Sequence, residues 1–150
     1  GLTAVGGGGS GNPITQVGLK LLTDSPFIGK TPTEIKFRIS KDGSPTGVGT
    51  MKIYNGSNTL LATSTNTINV STVADYPTYT QSTWTFSGLS ALAENDTIAV
   101  QGWTADDSNK MQVKICSPQE YDNQQARKFD NGGWSNSGGS GDRQCDVCMA

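Results

Sequence analysis

The chain has 150 residues, a net charge of −2, 16% charged residues and no histidine. That length suits one domain, which can bury about 68–70% of its unfolded surface without a metal or a dense disulfide framework. Without histidine, Ser-His-Asp and Cys-His catalysis and histidine-containing metal sites are excluded.

Acids and bases are interspersed, so no basic face for nucleic acid stands out and no nucleic acid is expected as a partner. No apolar run approaches the roughly 20 residues of a membrane helix, so no membrane span is expected. Ser, Thr, Asn, Gln and Gly are abundant, while β-branched and aromatic residues recur at strand spacing, which is the composition of a secreted all-β domain. No signal peptide stands at the start, and a processed or cloned N-terminus is expected.

Residues 1–13 are read as a flexible glycine-rich tail and residues 14–150 as one domain. In the tail an apolar stretch, Leu2 to Val5, precedes four consecutive glycines, which hold no conformation alone. An ordered tail therefore needs a partner: a neighbouring subunit or its own sheet. The first strand, over 14–22, sets Val17, Leu19 and Leu21 on one face; the next, over 33–40, turns Ile35, Phe37 and Ile39 inward. A loop over 41–47 leads to a strand at 48–54 with Met51 and Ile53 toward the core. Asn55-Gly56 signals a hairpin into 59–64.

Residues 66–79 are polar and irregular, anchored by Ile68, Val70 and Val73 and broken by Pro77; 80–86 is a strand with Ser82, Trp84 and Phe86 on one face, and 88–95 caps one end as a single helical turn. The organising element is a hairpin over 96–117, turning at Thr104 to Asn109. Its alternation sets Ile98, Val100 and Gly102 inward and Trp103 on the polar face, and after the turn Met111, Val113 and Ile115 inward with Cys116 outward. Ser117-Pro118-Gln119-Glu120 is a helix start signal, but no apolar stripe follows through Arg127, so one or two turns are expected. A strand over 143–149 closes the sheet, with Cys145, Val147 and Met149 inward and Asp146 and Cys148 outward. About eight strands and at most one short helix predict an antiparallel β-sandwich of jelly-roll type.

Four blocks carry a resemblance: Gly43 to Gly47; Ile68 to Thr72; Asn95 to Val100 with Asp107-Ser108-Asn109; and Tyr121-Asp122 with Gly132-Gly133-Trp134-Ser135. Together they resemble a module of secreted archaeal surface proteins, also found in viral structural proteins, of lectin-like or galactose-binding-like sandwich form. The resemblance covers residues 14–150 and implies an extracellular location and no catalytic motif. The three cysteines and the glycine-rich tail depart from the pattern and imply an assembly role.

The Cys145-Asp146-Val147-Cys148 spacing resembles half a redox or zinc site, but a strand sends its two cysteines to opposite faces and further ligands are missing. A disulfide is expected instead, Cys116 with Cys148 preferred and Cys116 with Cys145 the alternative. Asp106, Asp107 and Asn109 offer oxygens to calcium, though such residues also favour turns. Glu94 with Asp96, and Asp122 with Asp130, are the carboxylate pairs a glycosidase would need. Trp103, Tyr121 and Trp134 are candidates for stacking on sugar rings or for subunit contact. Sequons mark Asn55, Asn69 and Asn95 for glycosylation.

Two functions follow. The first is a non-enzymatic extracellular structural protein, without cofactor, that polymerises with itself by strand addition through Leu2, Ala4, Val5, Ile14, Val17 and Leu19. The second is a carbohydrate- or receptor-binding module using the exposed aromatics.

Overall fold

A computed structural model describes residues 3–6, 14–116, 124–130, 133–136, 144–145 and 147–149. It is all-β, and one 3-10 turn, Val70–Thr72, interrupts the strands. The strands are β1 (Thr3–Val5), β2 (Gln16–Leu21), β3 (Glu34–Asp42), β4 (Val48–Tyr54), β5 (Leu60–Thr63), β6 (Ile68–Asn69), β7 (Thr80–Thr85), β8 (Thr97–Gln101), β9 (Lys110–Val113), β10 (Ile115–Cys116), β11 (Gln124–Asp130), β12 (Gly133–Asn136), β13 (Gln144–Cys145) and β14 (Val147–Met149).

They form a sandwich of two antiparallel sheets. The first runs β12-β11-β2-β8-β4-β5, with β6 also on β4; in the second β3 lies between β7 on one edge and β9 and β14 on the other, and β1 is added outside β9. β10 and β13 form a separate two-stranded ladder, with β13 close to β11 and β2 of the first sheet. The alternation of two explains the layers. Val17, Leu19, Met51, Ile53, Ile98 and Val100 of the first sheet meet Ile35, Phe37, Ile39 and Trp84 of the second, all 0% exposed. Burying each such aliphatic side chain stabilises by about 1.5–3 kcal/mol.

The pairing is nested: β2 with β11, β3 with β9, β4 with β8. The innermost turn of this folded ribbon is closed by side chains. Thr65 N–H donates to the Thr85 carbonyl at 2.8 Å. Asn66 Oδ1 accepts from Thr85 N–H at 2.8 Å while Nδ2 donates to the Thr83 carbonyl at 3.0 Å, so one amide imitates a strand and ties the first sheet to the second. This nesting is that of a jelly roll. At the outer edge of the first sheet the β4–β5 register shifts between Ile53 and Tyr54.

Several expectations are revised. The tail does not stay separate: Thr3, Ala4 and Val5 pair with Val113, Gln112 and Met111, and Gly6 N–H donates to the Ile14 carbonyl at 2.7 Å. Folding back on its own sheet is thus the outcome found. Residues 88–95 contain turns and no helix. The helix start at 117–120 lies outside the described residues, but its expected continuation is overturned, because Gln124–Asp130 is a strand along the edge of β2. An unpaired β2 edge would leave buried backbone groups without partners, which outweighs a local capping signal. The strand expected over 110–116 breaks at Lys114, whose N–H donates to the Arg38 carbonyl at 3.0 Å. The strand expected over 143–149 is two pieces, β13 and β14, and Asp146 lies outside the described residues.

Candidate functional site

Register brings together side chains scattered through the chain on the outward face of the first sheet. The outward positions of β2 are Gln16, Gly18 and Lys20. Gly18 lies beside Ala99 of β8 and Arg127 of β11, and Lys52 of β4 continues that row. A Cβ on Gly18 would meet the Ile98 carbonyl oxygen at 1.9 Å, so only glycine lets β2 approach β8 this closely. Gly18 and Ala99 leave a floor without long side chains.

Trp134 of β12, in register with Phe129, belongs to the group that closes over this floor. Its ring meets Tyr54 edge-on at 5.5 Å and Phe129 at 5.3 Å between centroids. The Arg127 guanidinium stands 5.2 Å above the indole and donates from Nη1 to Thr97 Oγ1 at 2.8 Å. Thr97 and Ala99 are 0% exposed although they point away from the core. Trp134, Tyr54, Phe129, Lys20, Lys52 and Gln101 remain half-buried, each with some surface in water. Tyr54 donates its hydroxyl to Gln16 Oε1 at 2.8 Å. Burial raises the Tyr54 phenol above its ordinary value, against the bond with Gln16, which lowers it. Burial likewise lowers Arg127, yet a guanidinium stays charged.

The other expected sites are distributed as follows. Trp103 is not on the polar face: it is 5% exposed, donates Nε1–H to the Ile68 carbonyl at 3.1 Å and packs edge-on against Trp84 at 6.3 Å. Gly102 takes φ +106, which breaks the alternation and turns the next side chain inward. Tyr121 and Asp122 lie outside the described residues. Val17 and Leu19 are 0% exposed on a strand paired along both edges, so β2 has no edge to offer a neighbour. Val5 and Ile14 are 3% and 8% exposed, Ala4 is in β1, and Leu2 lies outside the described residues.

The Asn55 Oδ1 accepts from Ser57 and Thr59 N–H, and the Asn69 Oδ1 from Ser71 N–H. Asn95 is exposed at φ +70. Asp106 Oδ1 accepts from Ser108 N–H, Asn109 N–H and Asn109 Nδ2, which hold its carboxyl below the usual range: a turn already saturated by its own backbone. Asp107 is exposed beside it. Glu94 Oε1 accepts from Thr23 Oγ1 at 2.6 Å. Asp96, 3% exposed, accepts from Ala93 N–H at 2.8 Å and lines a cleft of about 290 Å3 with Ile53, Leu61, Leu89 and Leu92. Asp130 is in register with Gly133.

Register sets Cys116 opposite Gln144, Cys145 opposite Ile115, and Cys148 opposite Lys36; the pairing of the three thiols lies outside what is described. Among the described residues no group of three or more His, Cys, Asp or Glu could hold a metal ion. No helix among them is long and apolar enough to cross a membrane. Of the two described aromatics singled out in the sequence, Trp103 is in the core and Trp134 is in the outward cluster. Tyr54 was legible there, as the outward neighbour of Ile53, whereas Arg127 and Phe129 were obscured by the helix expectation. Compared with known protein families, curated proteins and solved structures, the chain matches none.

Proposed function

We propose that the protein is a non-enzymatic extracellular structural subunit that assembles into a filament or surface array by lending β1 to a neighbouring copy. The observation that carries this reading is β1 itself: three residues held on the edge of β9, with Val5 buried, behind a four-glycine tether. Closed and exchanged forms make the same β1–β9 contacts, so hinge geometry and concentration decide between them. The tether from Gly6 to Pro13 reaches at most roughly 26–29 Å when extended, enough to enter an adjoining molecule. One tail and one socket per copy, used head to tail, give an open array.

The test exploits the register of Ala4 with Gln112. A4C/Q112C, with the three native cysteines changed to serine, should give a covalent ladder on a non-reducing gel from assembled material. Bands of monomer alone, with no filaments in electron micrographs at any concentration, would refute strand exchange.

A second reading, a carbohydrate-binding module, is favoured by the half-buried rings of Trp134 and Tyr54 on an outward sheet face. It predicts that the intact protein retains at least one polysaccharide.

A further inference from the structure

The outward face of the first sheet gathers positive charge that the chain as a whole lacks. Its outward positions on β2, β4 and β11 carry Lys20, Lys52 and Arg127 and, among the described residues, no aspartate or glutamate. The net charge of the chain is −2. The ion pairs Lys36–Glu34 and Lys41–Asp75 both involve β3 of the second sheet and do not touch this face. Lys20 and Lys52 are separated by β8 and by two positions along the strands, which sets them roughly 10–12 Å apart, with Arg127 on the far side of β2. Trp134 meets both Arg127 and Tyr54 on this face, and the half-buried amide side chain of Gln101 lies there too.

Three chemistries therefore share one surface. Aromatic rings take the C–H face of a pyranose, an amide takes its hydroxyls, and spaced cations take an anionic substituent. Resting on the carbohydrate-binding reading, we infer that this face binds an acidic polysaccharide, a chain of sugar rings bearing carboxylate or sulfate groups. Nucleic acid fits less well. Duplex DNA carries a charge about every 1.7 Å, far denser than these cations. An acidic peptide would satisfy the lysines but leave the rings unused.

The experiment is affinity electrophoresis of the full chain in gels containing polygalacturonate, heparin, dextran or polyglutamate, at low salt and at about 1 M salt, where the Debye length falls to about 3 Å. Retardation by polygalacturonate or heparin, abolished by salt, is expected. The variant K20Q/K52Q, altered at two partly exposed positions, should melt with the parent and bind about tenfold more weakly. Equal retardation by dextran would overturn the acidic class and leave the carbohydrate reading standing; retardation by none of the three polysaccharides would overturn both. Equal retardation by polyglutamate would overturn the need for a sugar ring, and unchanged binding by K20Q/K52Q would overturn the assignment of the face.

Discussion

Gly49 sets the position of two tryptophans. A Cβ built there would lie 2.2 Å from carbons of the Trp103 ring, and the Gly49 carbonyl accepts the Trp84 indole N–H at 3.2 Å. Gly49→Ala must displace Trp103 from its place against Trp84, at a cost of about 1–3 kcal/mol. The expected readout is a melting temperature lower by roughly 2–4 °C for each kcal/mol, with a changed near-ultraviolet dichroism. Asp96 gives a prediction with a sign. Burial raises its carboxyl above the unfolded value, opposed by the Ala93 N–H. The native state therefore holds this proton more tightly, and stability is lost as pH rises from the unfolded value through the native one. Asp96→Asn keeps an acceptor for Ala93 and carries no charge. It should melt above the parent at pH 7 and with it at a pH below both carboxyl values; equal melting at every pH would refute the burial effect. Asp106 runs the opposite way and is common to both proteins, so it cancels. At this scale alternation identified Ile35, Phe37, Ile39, Met51, Ile53, Ile98 and Val100 as core, because a period of two survives wherever a strand is regular. It misplaced Trp103 because one glycine dihedral, invisible to periodicity, reverses the facing of the next residue.

The elements were legible in proportion to how locally they are determined. β3, β4, β7 and β8 follow the sequence expectation within a few residues, since each carries its own alternation. β11 was not, because Ser117 and Pro118 send a local capping signal while the reason for a strand, the open edge of β2, lies about a hundred residues earlier. The tail is intermediate: its need for a partner could be read from four glycines, and its choice of β9 could not. The closure of the ribbon through Asn66 was likewise hidden, since a lone polar residue in a loop has no periodic signature. Asn66→Ala removes the acceptor of Thr85 N–H and the donor to the Thr83 carbonyl. Leaving such backbone groups unpaired costs about 1–3 kcal/mol, so the variant should unfold at lower denaturant with an unchanged slope. An unchanged midpoint would mean that water replaces the amide and that the two sheets do not depend on it.

For the molecule as a whole, fold class emerged from composition and turn spacing, whereas the candidate site did not. Lys20, Lys52 and Arg127 look like scattered surface charge along the chain, and only the order of β11, β2, β8 and β4 collects them. Assembly also belongs to this scale. If β1 must leave its own socket before entering another, release precedes docking, and the assembly rate should level off as protein concentration rises. A rate that keeps climbing in turbidity or light-scattering traces would instead indicate a contact between closed molecules. The shifted register between Ile53 and Tyr54 bears on which contacts those can be. It falls beside β5, whose Leu60 and Leu61 are 48% and 52% exposed. A bulge bends its strand and strengthens the local twist, and β5 has only four residues. Two leucines are thus displayed on a border too short and too twisted to template further chains. Growth by strand addition at β5 would then be disfavoured, and that border would not seed amyloid-like stacking.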